Sequence, residues 1–261
     1  MVLCSSSIEL NRRGNEHFAR GDYAQAQACY AQALELDRRG GQPRELALTL
    51  GNLANVCACT GRAEQAIGYY REVLALQREL GDQRGIAITL ANLGNVQADA
   101  GAADRGEAHY LEALDLLEPT DEAQLTATIL GNLALIARGR GEIERALTLT
   151  DRAVTLMRRA GDQAAVAGLY NQQARTYLQA GRYDDARACA QTALAIAERL
   201  ADDRLMAASW YRLAFIAGGQ ERWGEAAAIM ERVVAVDLKY GLPKLEENRR
   251  WLEAWRRRAN T

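Results

Sequence analysis

Lysine is nearly missing from this chain: Lys239 and Lys244 are the only two among 261 residues, and arginine carries the remaining positive charge. That bias reads as a coding preference rather than a demand for forked donors. A basic excess is also missing, since the formal charge is -2, which counts against non-specific attraction to nucleic acid or to an anionic membrane. Long hydrophobic runs are absent, and no window approaches the ~18 to 20 apolar residues of a membrane span. The start, "MVLCSSSIEL", carries neither a basic leader nor a sustained apolar stretch, so the expected location is cytoplasmic. Five scattered cysteines (Cys4, Cys29, Cys57, Cys59, Cys189) argue against a disulfide framework. With only His17 and His109 to add imidazole, no metal-ligand spacing emerges, and no metal or cofactor is expected. Nothing resembles a phosphate loop or a nucleophile elbow, so catalysis is set aside.

What is present is repetition. Gly21, Gly61, Gly101, Gly141 and Gly181 stand 40 residues apart, and Glu221 breaks the series at the sixth position. Around each glycine the apolar residues follow helical spacing: Leu50, Leu53, Ala54 and Cys57 before Gly61, then Ala66, Tyr70, Val73 and Leu74 after it. Each period therefore predicts two amphipathic helices, A and B, with the glycine turning between them. Two columns never exceed a methyl group: Gly14, Ala54, Gly94, Ala134, Ala174, Ala214, and Ala26, Ala66, Gly106, Ala146, Ala186, Ala226. Such positions mark close approach of two helix backbones.

These columns, in six copies over residues 8 to about 240, resemble the tetratricopeptide repeat (TPR). The 40-residue period and the segments "LGDQRG" (80–85) and "AGDQAA" (160–165) are similar to the long-repeat subclass of LGN/Pins-type adaptors and bacterial regulatory arrays. The resemblance implies an all-α, right-handed α-solenoid of six repeats (about 1–40, 41–80, 81–120, 121–160, 161–200 and 201–242), with a capping helix over 243–261 bearing Leu245, Trp251, Leu252 and Trp255. Arg13, where other copies carry leucine, suits a first helix with one wet face. His17 falls in an interface column and reads as a core residue; Gln173 breaks the leucine column without a sequence rationale.

On helix A, Asn52 and Asn55 point roughly 150° or more from the buried stripe. The resemblance assigns that face to a concave groove. Its rows are Arg12, Asn52, Asn92, Asn132, Gln172, Arg212 and Asn15, Asn55, Asn95, Leu135, Arg175, Phe215, with Arg138 joining the C-terminal arginines. Carboxamides both donate and accept, and arginine forks match carboxylates. The expected function is a non-catalytic, monomeric adaptor whose groove takes an extended, acidic protein segment. Two other readings stand beside it: a peptide-sensing regulatory subunit that changes shape on binding, and self-assembly through the ends, which Arg13 and the cap count against. The asparagines are open to a second interpretation as a structural ladder. The two-lysine carboxylate clamp of chaperone-binding TPR domains is not matched, since no lysine precedes residue 239.

Overall fold

The computed structural model describes residues 6–40, 42–118, 120 and 122–261; Cys4 lies outside them. Among the described residues the chain forms only helices. Two compact units divide it, one ending at Glu122 and the other beginning at Ala123. The first holds α1 (Ser7–Ala19), α2 (Tyr23–Gly40), α3 (Pro43–Cys59), α4 (Ala63–Leu80), α5 (Gln83–Asp99) and α6 (Ala103–Leu117). The second holds α7 (Ala123–Gly139), α8 (Ile143–Arg159), α9 (Gln163–Gln179), α10 (Tyr183–Leu200), α11 (Asp203–Gly219), α12 (Trp223–Tyr240) and α13 (Leu245–Ala259). Within each unit every helix packs on the next along the chain. The architecture is an all-α repeat array finished by a C-terminal helix.

The A-to-B turns show why the glycines recur. Gly21, Gly61, Gly101, Gly141 and Gly181 have φ between +72° and +82°. At Gly61 the glycine N–H donates to Ala58 O at 3.1 Å and Arg62 N–H to Cys57 O at 2.8 Å, which closes the helix with a left-handed residue. Glu221 takes the same conformation, φ +59°, with the same bonds: its N–H to Gly218 O at 3.1 Å and Arg222 N–H to Ala217 O at 2.9 Å. A side chain there opposes the local sterics. Between repeats, Asp82 and Asp162 cap the next helix, each accepting at 2.9 Å from the N–H three residues on. That is the physical content of the "GDQ" segments.

The small columns lie where helices meet. Ala54, Ala66, Ala134, Ala146, Ala174, Ala186, Ala214 and Ala226 are fully buried. A Cβ added to Gly106 would stand 2.8 Å from the Gly94 carbonyl oxygen, so two backbones nearly touch. Arg13 is exposed, as a first helix with a wet face requires. His17 is only half-buried at the end of α1, its Nδ1 3.7 Å from Asp22 Oδ2. Gln173 acquires a rationale: buried in α9, its Nε2 donates to Asp151 Oδ1 on α8 at 2.5 Å. In α13, Leu252 and Trp255 are buried against Ala214, Ala217 and Met230. Burial of side chains this large contributes roughly 2 to 3 kcal/mol each. No helix is long and apolar enough to cross a membrane, and no cluster of His, Cys, Asp or Glu is placed to hold a metal, among the described residues.

Candidate functional site

In the first unit the A-helix face is largely engaged with the fold itself. The hydroxyls of Tyr30, Tyr70 and Tyr110 donate to Asn15, Asn55 and Asn95 Oδ1, at 2.7, 2.5 and 2.5 Å. Each pair is separated by the same 15 residues and joins helix A to its own helix B. Burial pushes the Tyr30 phenol up to about 12 and that of Tyr70 higher still, so both remain neutral donors. Asn52 Nδ2 donates to Asn11 Oδ1 at 2.9 Å. Asn11 in turn donates to Thr49 Oγ1 at 2.7 Å, and Thr49 to Asp37 Oδ2 at 2.6 Å. Asn52 is thus the outer end of a polar chain whose other members are buried between α1, α2 and α3.

Arg12 is no free anchor. Its guanidinium meets Glu9 at 2.9 and 2.6 Å and also pairs with Glu16. The hydrogen bond from Arg12 holds the Glu9 carboxyl below its ordinary range. Two clefts, of about 640 and 610 Å3, open on this unit; Asn55 and Asn92 line both, Asn52 the first, Asn95 and Asp99 the second. Their polar lining mixes these amides with Tyr70 in both, with Arg44 and Asp82 in the first and with Asp99 in the second.

The second unit is built differently. Gln172 Nε2 donates to the Gly131 carbonyl at 2.8 Å, and Asn132 is half-buried on α7. Where Asn15, Asn55 and Asn95 stand in earlier copies, this unit has Leu135, Arg175 and Phe215; where the tyrosines stand it has Thr150, Ala190 and Met230. Asparagine and tyrosine disappear together, so the interhelix bond is lost as a pair and neither partner is orphaned. The repeat alignment of both columns carries that signal in the sequence, and reading the asparagine column alone misses it.

Into the altered face come Arg138 on α7, Arg175 on α9 and Arg212 on α11. Each stands three positions earlier in the 40-residue register than its predecessor, a diagonal across the A helices. The Nε groups of Arg138 and Arg212 are shielded from solvent and have no acceptor. No carboxylate pairs with any of the three among the described residues. Burial, then Arg175 and Arg138, pushes Arg212 down to about 10, with Tyr211 opposing; burial and Arg175 lower Arg138. A cation whose charge is disfavoured by both desolvation and like neighbours is primed for an anion.

Beside the arginines lies a cleft of about 560 Å3, lined by Arg175, Arg212, Tyr211, Phe215, Arg204 and Lys244 among others. Phe215 packs on Tyr211, Trp251 and Trp255 with centroids 4.6, 5.1 and 5.2 Å apart, so α13 braces its wall. Two acids are near: Asp237, held by Asn248 Nδ2 at 2.7 Å, and Glu247, which raises the Tyr211 phenol after burial does. Arg204 and Lys244 stand outside the repeated columns of the sequence; the fold brings them here from the start of α11 and the turn before α13.

Comparison with known proteins agrees with this architecture. The tetratricopeptide repeat model matches residues 6–79, 85–159 and 165–239. No curated protein matches the chain. Among solved structures, BtubC (BKLC) from P. vanneervenii is 23% identical, with TM-score 0.66 over 74% of this chain and 80% of that one. The apo form of RapI is 13% identical, with TM-score 0.73 over 97% of this chain and 98% of that one. A Rap protein complexed with competence and sporulation factor is 14% identical, with TM-score 0.69 over 96% and 75%. At these identities the structural likeness speaks to the fold, whereas the repeat model covers most of the sequence in three successive stretches: this chain belongs to the tetratricopeptide repeat family.

Proposed function

We propose that this protein is a non-catalytic interaction scaffold whose A-helix face binds an extended, acidic segment of another protein, with Arg138, Arg175 and Arg212 as its principal anchors. The observation that carries this reading is the cluster of three guanidinium groups with no carboxylate partner among the described residues. Repeat arrays of this kind present extended surfaces to partners, and a fork meeting a carboxylate gives both charge and geometry. Asn132, half-buried on the A-helix face of the same unit as the arginines, would contribute an amide contact of about 0.5 to 1.5 kcal/mol. Asn15, Asn52, Asn55, Asn95 and Gln172 act mainly in the fold, and Arg12 is neutralised by its own helix.

The test is a fluorescence-anisotropy titration of the full chain with a short labelled glutamate-rich peptide. Arg175→Gln and Arg138→Gln are expected to weaken binding about tenfold or more each, while Tyr70→Phe leaves it unchanged. Equal binding by wild type and arginine variants would refute the assignment. A second reading, a regulatory subunit that changes shape on ligand binding, draws on the Rap neighbour solved with its factor. It predicts a changed small-angle scattering profile on saturation, where a rigid scaffold predicts none.

A further inference from the structure

Resting on that reading of the arginine face, we infer that its preferred ligand group is a phosphorylated side chain of a protein segment, with an apolar side chain of the same segment seated in the neighbouring cleft. A guanidinium presents a flat fork of N–H donors and a carboxylate has one O–O edge to receive a fork. Three forks therefore exceed what one carboxylate can accept. A phosphomonoester dianion has three terminal oxygens, hence three edges, and carries close to two negative charges at neutral pH.

Charge agrees with the count. Arg175 and Arg212 line one cleft and Arg138 lies near enough to act on both; among the described residues no carboxylate pairs with any of the three, and the Nε groups of Arg138 and Arg212 have no acceptor. One carboxylate would leave a net charge near +2 in a partly desolvated place, while a phosphate dianion leaves it near +1. The surrounding ionisable groups do not close that gap, because the two acids, Asp237 and Glu247, are offset by the two bases, Arg204 and Lys244. The arginines come from three successive A helices, α7, α9 and α11, and a group with three oxygen edges can accept from all of them.

The cleft selects the source. A free phosphate ion would use the arginines alone. Next to them the wall continues through Tyr211, Phe215, Leu178 and Leu242, an apolar surface with room for a further side chain. A residue a few positions along an extended chain, at about 3.3 Å per residue, reaches it from a phosphate held on the arginines. The assigned ligand is thus a phosphoserine- or phosphothreonine-bearing segment with a bulky apolar neighbour.

The experiment compares four short labelled peptides of one sequence against the full-length protein: one with phosphoserine beside a phenylalanine, one with serine, one with two adjacent glutamates, and the phosphopeptide with phenylalanine replaced by glycine. Inorganic phosphate serves as competitor. The phosphopeptide is expected to bind about tenfold tighter than the diglutamate form, to weaken about tenfold in Arg175→Gln, and to lose affinity as pH falls below about 6, where the dianion takes a proton. Loss of phenylalanine is expected to weaken it several-fold. Equal affinity for phosphoserine and diglutamate peptides, with both still dependent on Arg175, overturns this inference and leaves the acidic-segment reading standing. Arginine-independent binding of every peptide overturns both. Phosphate alone binding as tightly as the phosphopeptide overturns the assignment to a protein segment. Thermal melts of each variant confirm that folding is retained; were Arg212→Gln to fail there, the exposed Arg175 decides the matter.

Discussion

The Tyr70 hydroxyl donates to Asn55 Oδ1 at 2.5 Å across the interface of α3 and α4, and the same bond recurs between Tyr30 and Asn15 and between Tyr110 and Asn95. Removing one such hydroxyl leaves the asparagine oxygen to water, at a cost of about 0.5 to 1.5 kcal/mol. Tyr70→Phe is therefore expected to lower the urea midpoint with an unchanged slope. Peptide affinity is expected to stay as it was.

Asn52 behaves differently from the residues around it because it ends a polar chain running inward to Asp37. Asn52→Ala removes the donor to Asn11 Oδ1 and is expected to destabilise the first unit by about 1 to 2 kcal/mol. Asn92→Ala, with no such chain behind it, is expected to change stability by less than about 0.5 kcal/mol. Parallel chemical denaturation of the two variants checks the contrast.

At the sixth turn, Glu221 holds a φ of +59° that glycine holds in the five turns before it. Glu221→Gly is expected to raise stability by about 1 kcal/mol, the left-handed penalty less the entropy that glycine adds to the unfolded chain. A higher melting temperature with unaltered peptide binding is the expected result.

Arg212 contributes to stability with the opposite sign to most charges. Its folded pKa, about 10, lies below the ordinary guanidinium value, so the fold disfavours the charged form, chiefly by burial and next by Arg175. The penalty is fully present at neutral pH and is relieved only as pH climbs past about 10 toward the ordinary guanidinium value of the unfolded chain. Arg212→Gln is accordingly expected to stabilise the second unit by about 1 to 3 kcal/mol at pH 7 while weakening ligand binding. Calorimetry beside the anisotropy titration reads both effects.

The fold was legible because its two strongest signals are backbone signals. A left-handed turn wants glycine and a helix contact wants a small residue, whatever the rest of the surface does. The site was legible only in part. The angular position of Asn55 on its own helix correctly turns it from the stripe of Leu50 and Leu53, yet the partner that binds it comes from α4, which a single-helix projection does not contain. Arg12 was visible as a cation, while its neutralisation by Glu9 and Glu16 depends on three side chains converging on one side of α1. The bond from Gln173 to Asp151 crosses from α9 to α8, so a buried amide could be seen in sequence only as a broken column.

The asparagine–tyrosine bond is wholly contained within one helix pair. It requires nothing from the pair before or after, and the two residues have been exchanged as a set wherever the second unit departs from the first. A helix pair is thus a portable part: its internal fastening travels with it, and the face it leaves exposed can be rewritten without loosening the joint. Arrays assembled from such parts can vary their chemical preferences copy by copy while keeping a common skeleton, and chimeras that trade α3–α4 for another pair with the fastening intact, and with Thr49 and Asn52 kept for their bonds to α1 and α2, are expected to fold.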